Sequence, residues 1–440
     1  MSTLEKKKGW SHYHWVIFAI GFLMVFTGLG FGSTTRSTYK TAITTDATAG
    51  LSNIFYYGFS DTFRYLTTAV LNILFGTLVA KFGARKLVGA GFASLAASCI
   101  VCSFATQYWH LYVGAVLLGV GFAWTTTTIV GIIVEKWFTN SKGTIMGIIL
   151  AANGLGGSLS ENIINPMCIK EDGLGWRTAY LITAGLFVVV GLLAVLLIRN
   201  SPSDMGLAPL GQDKVAKKKR GADWVGFEMS EVTKKPYFYI CAFCIFLTGM
   251  ILQSMNGLSK VHIYSVVGKT DPMVDWVTKV FVIHSLVLMV SKIMAGFSFD
   301  KFGIRFTFLY CSIFCIVALL SLVFMTEQNS WFAWIYSVCS SIALPLETIM
   351  IPLLVSEIFG KKCHAKIMGY YLGINFFGYA SGGPIADFFK QNSSTYNGIL
   401  SVFCIIMFVT ATIIQITFIV AKKDRKAYEK KLESTATVVD

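Results

Sequence analysis

One apolar stretch occurs twice in the chain, as IMGIILAANGLG at residues 145–156 and as IMGYYLGINFFG at residues 367–378. The two copies lie in opposite halves of the chain, and they share identical residues at six positions. Each copy holds an amide side chain near its middle, Asn153 in the first and Asn375 in the second. Self-similarity at a fixed distance indicates a fold built from equivalent units. The repeat therefore predicts two structurally related halves.

A second pair of stretches supports the same division. GTLVAKFGARK begins at Gly76, and GFSFDKFGIRF begins at Gly296, so this pair has nearly the same offset as the first. The shared residues are Gly76/Gly296, Lys81/Lys301, Phe82/Phe302, Gly83/Gly303 and Arg85/Arg305. Each copy ends the predicted second helix of its half, which predicts that both halves have the same orientation.

The composition is typical of a membrane protein. Of the 440 residues, 55% are hydrophobic and 14% are charged, whereas soluble domains carry about 25% charged residues. A chain this apolar cannot bury its side chains in one water-soluble core. A large soluble enzyme is therefore excluded. The sequence also shows no metal cluster and no nucleophile–base set, so neither enzymatic activity nor a cofactor is expected.

Twelve continuous apolar stretches of roughly 18–25 residues match the length that crosses a bilayer as an α-helix. They centre near residues 15–32, 55–79, 87–105, 111–134, 143–165, 179–198, 237–258, 277–299, 307–325, 331–356, 367–389 and 398–421. The runs are continuous and do not alternate, which favours helices over a barrel. The predicted fold class is an all-α integral membrane protein with twelve transmembrane helices in two pseudo-symmetric six-helix bundles.

The net charge of +14 is concentrated on one side of these spans. Clusters occur at residues 6–8, 81–86, 136–142, 217–220, 301–305, 361–366 and 422–426. Cytoplasmic loops collect Lys and Arg, so both termini are predicted to be cytoplasmic in a multi-pass plasma-membrane protein. The clusters flank helix ends without interleaved aromatic residues, so anionic lipid is the expected partner and nucleic acid is not.

The longest polar stretch separates the two halves. Residues 200–236 contain SPSDMGLAPLG and a basic cluster, which is typical of a cytoplasmic linker. Residues 1–199 are predicted as an N-terminal six-helix bundle. Residues 237–440 are predicted as a C-terminal six-helix bundle with a cytoplasmic tail. Two parallel repeats that rock around a midplane site are the architecture of many secondary transporters.

The loop after the second helix resembles the G-x-L-x-D-R-x-G-R-R motif of the major facilitator superfamily. Asp300 keeps the acidic position in the second copy, whereas Ala80 replaces it in the first. Gly-Trp-Arg at residues 175–177 is also similar to that superfamily. The resemblance implies the major facilitator fold, in which the acidic residue helps to latch one conformation. The implied conformational gating motif comprises Gly76, Gly83, Arg85, Gly296, Asp300, Gly303 and Arg305.

A narrower resemblance is to the oxalate–formate antiporter and monocarboxylate transporter branch. Three stretches are similar to that branch: EKWFTNSKGTIMGIILAANGLGG at 135–157, RNSPSDMGLAPLG at 199–211 and GGPIADFF at 382–389. The branch carries a basic residue four positions before the glycine that matches Gly296, and Lys292 occupies that position here. The resemblance therefore implies that Lys292 binds a carboxylate.

Lys292 is also notable without the resemblance, because it lies inside the apolar stretch VLMVSKIMAGF. A cation at membrane depth is costly unless it faces protein or water. Two interpretations remain open: the ammonium reaches the cytoplasmic surface along the helix, or it binds an anion within a cavity. In the resembling oxalate carrier, a second cation stands where this chain has Asn375. One Lys and one Asn suit a monoanion better than a dianion, and Asn375 and Asn153 bind either substrate or a neighbouring helix.

Three further polar residues are candidates for the substrate site. Glu347 lies midway along the tenth predicted helix, next to prolines that kink it, and is a partner for Lys292, a proton carrier or a structural ion pair. His284, eight residues before Lys292, is a second proton carrier or a packing residue. Arg64 lies three residues from Asp61, so it either forms a local ion pair or attracts anions at the outer mouth.

These features predict a secondary active transporter that moves a small organic monoanion by alternating access. Coupling is by anion exchange or by proton symport, and the lipid bilayer and a monomeric state are expected. One rival is a carrier of larger amphipathic acids such as conjugated bile salts. Another is a drug efflux pump in which Glu347 is the main charge. A membrane receptor or an intramembrane enzyme is disfavoured by the short loops.

Overall fold

The protein is described from a computed structural model. The structure describes residues 12–46, 50–138, 142–170, 172–207, 210, 226–348, 350–360, 362–393 and 395–436. Throughout these ranges the secondary structure is helical, apart from turns and one isolated bridge between Phe138 and Leu210. Helices satisfy their own backbone hydrogen bonds, as a chain in hydrocarbon requires.

The helices divide into two sets separated by the linker. The first set is α1 (His12–Leu29), α2 (Arg36–Thr45), α3 (Ile54–Ser103), α4 (Tyr108–Thr125), α5 (Thr127–Trp137), α6 (Lys142–Ile169) and α7 (Gly175–Leu197). The linker holds the short helix α8 (Met229–Val232). The second set is α9 (Pro236–Val267), α10 (Asp271–Phe302), α11 (Ile304–Val323), α12 (Phe332–Ala343), α13 (Pro345–Thr348), α14 (Met350–Phe359), α15 (His364–Ser393) and α16 (Asn397–Ala436).

Each set makes six crossings, although neither set has six helices. Some crossings are divided into two or three shorter helices, and one long helix makes two crossings. A π-helical turn at Gly30–Thr34 joins α1 to α2 in one crossing. Helix α3 makes two crossings, which meet at the non-helical residue Gly83. Helices α4 and α5 form one crossing, and α12, α13 and α14 form another. The prediction of twelve transmembrane helices in two six-helix bundles is confirmed.

Eight helical segments in the described part of the chain are long and apolar enough to span a membrane by length and composition alone. The first part of α3, all of α6, the α12–α14 crossing and α15 are not among them. These crossings carry most of the predicted polar site residues. A helix that faces protein and water on one side needs fewer apolar residues than one surrounded by lipid.

Among the crossings that extend beyond the ends that hydropathy predicts, two bring polar residues into the bundle. The first predicted span covers residues 15–32, but helix continues through α2 to Thr45. The seventh covers residues 237–258, but α9 continues to Val267. Both extensions are polar, and their polar side chains bind inside the protein, so hydropathy alone ends these helices too early. This correction places Arg36, Lys40 and Lys260 within the bundle.

Each helical set has its own hydrophobic core, one running from Ile17 to Ile198 and the other from Phe227 to Ala421. The linker contacts both cores. The Leu210 amide donates to the Trp137 carbonyl at 3.0 Å, and the Phe227 amide donates to the Phe359 carbonyl at 3.1 Å. The domain boundaries at residues 199 and 237 stay a prediction, although the two cores are consistent with them.

Candidate functional site

The two halves meet along two helix pairs, α3 with α15 and α6 with α10. We call the side of the bundle where the linker lies the near end, and the opposite side the far end. The far end contains the turns at residues 50–53, 104–107, 172–174, 268–270 and 324–331. Each helix pair spans the whole distance between the two ends. The contacts along each pair therefore show at which end the halves touch.

The α6–α10 pair is tightly packed toward the far end. A Cβ atom added to Gly154 would lie 2.5 Å from the carbonyl oxygen of Ser285, and one added to Gly157 would lie 2.8 Å from the Ser285 hydroxyl. Real side chains do not approach so closely. Glycine at these two positions therefore allows the backbones to touch, as small residues do at membrane helix interfaces.

The α3–α15 pair is also closed toward the far end. The Thr62 hydroxyl donates to the Ala380 carbonyl at 2.6 Å. The rings of Tyr65 and Tyr379 pack edge to face with centroids 5.1 Å apart. A Cβ atom on Gly58 would lie 2.5 Å from the Asp387 carboxylate. The halves therefore contact each other along the far-end part of both pairs.

Toward the near end the same helix faces border open space. Residues seven apart on an α-helix share one face, two turns apart. Gly147 precedes Gly154 by seven residues, and a Cβ atom built on Gly147 would meet nothing within 4 Å. On α15, the residues seven positions after Gly369 and Gly373 contact the first half, so these two glycines lie on the same helix face. They also border open space. We call this space the near-end cavity.

Lys292 lies on the face of α10 that points toward this cavity. It follows Ser285 by seven residues and is half-buried. The neighbouring side chains Val290 and Met294 are 47% and 62% exposed, and residues two apart lie about 160° apart around a helix. Lys292 therefore points away from the outward, lipid-facing side of α10. This placement favours the cavity interpretation over the surface one, and substrate binding by Lys292 stays a prediction.

The first half contributes polar groups at a similar level. Asn72 follows Tyr65 by seven residues on α3 and therefore shares its face. The Thr128 hydroxyl donates to Asn72 Oδ1 at 3.2 Å. Thr128 belongs to the first turn of α5, which starts after the non-helical residue Thr126. Asn72 and Thr128 thus add an amide and a hydroxyl to the first-half side of the near-end cavity.

The two repeat asparagines have different surroundings. Asn375 is buried, and its Nδ2 donates to the Ile245 carbonyl of α9 at 3.1 Å. It therefore binds a neighbouring helix of its own half. Asn153 is half-buried on α6, and its Oδ1 is shielded from solvent with no hydrogen-bond partner among the described residues. Asn153 therefore keeps an acceptor that no described residue uses, and its role in substrate binding stays a prediction.

The structure does not bring His284 into the near-end cavity. Its Nδ1 lies 3.0 Å from the Ser340 hydroxyl, 2.9 Å from the Ser341 hydroxyl and 3.2 Å from the Ser337 carbonyl, all on α12. Glu347 lies in the four-residue helix α13, and its side chain lies outside the described residues. A turn at Leu344 separates α12 from α13 directly before Pro345, and the kink at the prolines stays a prediction.

Arg64 forms the local ion pair that its spacing predicted. Its guanidinium lies 3.1 Å from the Asp61 carboxylate and 4.2 Å from the centre of the Tyr65 ring. Arg36 shares the same carboxylate at 3.0 Å. Arg64 is 1% exposed, so in this conformation it is enclosed by protein and does not face an outer mouth.

Two of the four gating-motif glycines, Gly83 and Gly303, share an unusual backbone geometry. Gly83 and Gly303 have φ values of +76° and +81°, a left-handed region that favours glycine. Arg85 Nε donates to the Val195 carbonyl at 2.5 Å, and the Arg305 carbonyl accepts from Gln415 at 2.9 Å. These arginine contacts stay within one half. The structure describes only the backbone at Gly76, Gly296 and Asp300, and the motif's gating role stays a prediction.

Two buried ion pairs that the sequence analysis missed join the halves toward the far end. Lys40 Nζ lies 2.6 Å from Asp387, and Lys260 Nζ lies 2.5 Å from Glu161. All four side chains are buried. Lys40 and Lys260 are separated by the same offset as the second pair of repeated stretches. This shared offset is the sequence signal that identifies Lys40 and Lys260 as equivalent residues. It becomes visible only when both predicted helices are extended to include them.

A helical membrane bundle of two related halves, closed at one end and open at the other around a polar interior, defines the class of secondary transporters that work by alternating access. The family model of the Major Facilitator Superfamily matches residues 17–383, and again residues 242–438. The chain belongs to this superfamily and is a multi-pass membrane carrier, not an enzyme.

Relatives within the superfamily are distant. The chain is 23% identical over 373 residues to the uncharacterized MFS-type transporter YcxA of Bacillus subtilis, covering 82% of this chain and 86% of that protein. It is 22% identical to the membrane sensor protein UhpC of Escherichia coli, covering 63% and 64%. It is 26% identical to sugar transport protein 11 of Arabidopsis thaliana, covering 56% and 51%.

Solved structures share the fold at low sequence identity. The nucleoside transporter NupG superimposes with a TM-score of 0.69 at 15% identity, covering 93% of this chain and 99% of that one. A bacterial homologue of the human lysosomal transporter Spinster, inward-facing and unoccupied, gives a TM-score of 0.70 at 14% identity, covering 95% and 99%. None of the relatives named here is an oxalate–formate or monocarboxylate transporter, so that narrower resemblance rests on sequence motifs alone.

Proposed function

We propose that the protein is a secondary carrier of a carboxylate-type organic monoanion. The observation that carries this proposal is the position of Lys292, half-buried on the face of α10 that borders the near-end cavity. An ammonium group there offers a carboxylate a charge-assisted hydrogen bond away from bulk water. Asn153, Asn72 and Thr128 would supply neutral polar contacts from the first half.

The charge balance inside the bundle supports an anionic substrate. Among the described side chains between the two halves, three carboxylates are buried: Asp61, Glu161 and Asp387. Each already lies within 3.1 Å of a Lys or Arg nitrogen. The cations that bind these carboxylates are Arg36, Lys40, Arg64 and Lys260, one more than the carboxylates. An incoming anion would offset this surplus of positive charge, whereas a cation would increase it.

We infer that both termini are cytoplasmic and that the carrier lies in the plasma membrane, because the basic clusters at residues 81–86 and 301–305, which the structure describes, lie at the near end. The far end is then external, and the described conformation is open to the cytoplasm. A single Lys suits exchange, in which the empty carrier does not reorient. Proton symport requires a further group that binds a proton within the cycle.

The test is uptake into proteoliposomes of formate, oxalate, lactate, other short acids, conjugated bile salts, a cationic drug, a sugar and a nucleoside. The sugar and the nucleoside are included because one relative is named as a sugar transport protein and one similar solved structure as a nucleoside transporter. Wild type is compared with Lys292→Ala and with Lys279→Ala, which removes an exposed Lys from the same helix. We expect saturable monoanion uptake in wild type and Lys279→Ala, and its loss in Lys292→Ala.

Imposed gradients distinguish the coupling modes. Stimulation by an internal anion indicates exchange, and stimulation by a pH gradient indicates symport. Uptake confined to bile salts supports the amphipathic-acid alternative. Uptake of a neutral or cationic compound that survives Lys292→Ala contradicts the proposal.

A second candidate function is ligand sensing. The chain is similar over 63% of its length to a protein described as a membrane sensor. A sensor of this fold would bind its ligand saturably without moving it. Monoanion binding to the purified protein, without uptake by proteoliposomes, would favour this second function and would contradict transport.

A further inference from the structure

The far end is joined by two ion pairs at pseudo-equivalent positions, and we call these the far-end ion pairs. Lys40 of the first half binds Asp387 of the second, and Lys260 of the second half binds Glu161 of the first. The two lysines are related by the repeat offset, whereas their carboxylates come from the pseudo-equivalent helices α15 and α6. Separation of the halves at this end must break both pairs.

The Lys260–Glu161 pair is sealed from solvent. Both side chains are 0% exposed. Lys260 Nζ also donates to the Thr38 hydroxyl at 2.5 Å and lies 4.3 Å from the centre of the Phe281 ring. One turn further along α6, Asn165 donates to the Tyr264 hydroxyl at 2.8 Å. No second carboxylate is described within reach of Lys260.

The Lys40–Asp387 pair has different surroundings. It lines a small cavity together with the side chains of Asp61, Gln253 and Tyr379. The Tyr396 hydroxyl donates to Asp387 at 3.2 Å. If Asp387 lost its charge, Lys40 would still have the Asp61 carboxylate and polar groups nearby. Both pairs therefore join the same two halves. Among the described residues, Lys260 depends on a single carboxylate, whereas Lys40 has a second carboxylate nearby.

We propose that the far end stays closed only while neither partner of a far-end ion pair is left charged without the other, and that Glu161 controls this closure more strongly than Asp387. A buried pair need not stabilise the closed state relative to apolar residues. One partner left alone in a buried site is strongly unfavourable. Loss of one charge therefore drives the far end open, and loss of both restores closure. This inference does not depend on the identity of the substrate.

A third ion pair provides a matched control. Lys170 at the end of α6 lies 2.9 Å from Asp275 of α10, so it also joins the two halves at the far end. Its side chains are 24% and 52% exposed. Exposed pairs contribute little, because water and salt already screen them. Lys170→Ala should therefore leave the conformation unchanged.

The experiment measures the distance between spin labels at Thr106 and Gln328, which are exposed on opposite halves at the far end. Labels attached through non-canonical amino acids avoid reaction with the ten cysteines. The full chain is reconstituted in lipid nanodiscs without substrate. We expect wild type and Lys170→Ala to show mainly the short distance.

Glu161→Gln should raise the long-distance population at least about tenfold, and Asp387→Asn should raise it less. Adding Lys260→Met to Glu161→Gln should return the population toward wild type. If Glu161→Gln does not fold, the exchanged pair Lys260→Glu/Glu161→Lys should still fold and remain closed. A wild-type distance distribution in Glu161→Gln overturns the proposal. An open distribution in the doubly neutral or exchanged variant does so as well.

Discussion

At the scale of single residues, Gly147 and Gly154 of α6 differ in how much space surrounds them. Gly154 touches the α10 backbone, whereas Gly147 borders open space. We expect Gly154→Ala to destabilise the closed far end by about 1–3 kcal/mol, because the added methyl overpacks the interface. Gly147→Ala makes the same chemical change on the same face and should be tolerated. Equal loss of thermal stability and uptake in both variants would contradict this assignment.

The repeat asparagines give a second residue-scale prediction. Asn375 bonds to Ile245 within the second half, so Asn375→Ala should cost about 1 kcal/mol of stability and leave KM for the substrate nearly unchanged. Asn153→Ala should instead raise KM with little loss of stability, because its Oδ1 has no described partner to lose. Melting curves and uptake kinetics of the two variants check this contrast. A raised KM in Asn375→Ala alone would reverse the assignment.

At the scale of secondary-structure elements, hydropathy predicted the twelve crossings but not their ends. The Arg64–Asp61 pair was predictable, because both residues lie on one helix three positions apart. The Lys40–Asp387 pair was not, since 347 residues separate its partners and Lys40 lies beyond the apolar part of the first span. Pairing across the halves depends on tertiary packing, which local spacing does not specify.

The linker gives an element-scale prediction. Phe227 is 1% exposed against the second core, and Glu228 beside it binds Lys362 at 2.7 Å with both side chains exposed. We expect Phe227→Ala to cost about 3 kcal/mol and Lys362→Ala to cost almost nothing. Thermal melting of the reconstituted protein distinguishes them. Equal destabilisation by the two variants would mean that the ion pair, not apolar packing, docks the linker.

The same ion pair has a defined pH dependence. The Lys362 ammonium holds the pKa of Glu228 below its ordinary value of 4.5. A carboxylate with a lowered pKa contributes its stabilisation above the unfolded-state pKa, and this contribution is lost as the pH falls through the folded-state pKa. Docking of the linker should therefore be unchanged between pH 8 and about pH 5. A loss of docking within that range, detected by limited proteolysis, would contradict this account.

At the scale of the whole molecule, the repeat explains why the halves close at one end and open at the other. Gly147 and Gly369 are repeat equivalents, and both border the near-end cavity. The far-end parts of α6 and α15 instead contact the opposite half. The sequence repeat predicted two equivalent halves. It did not predict which end is closed, because the same glycine-rich faces serve the open and the closed interface.

The central claim is that Lys292 binds the charge of a transported monoanion. The most direct test is the initial uptake rate of the best-transported monoanion by Lys292→Ala, relative to Lys279→Ala, at a concentration below KM. Loss of a hydrogen bond to a charged group costs about 1.5–3 kcal/mol, so the account predicts a rate about ten- to a hundredfold lower. Equal rates in the two variants would contradict it and would leave Lys292 without a role in substrate binding.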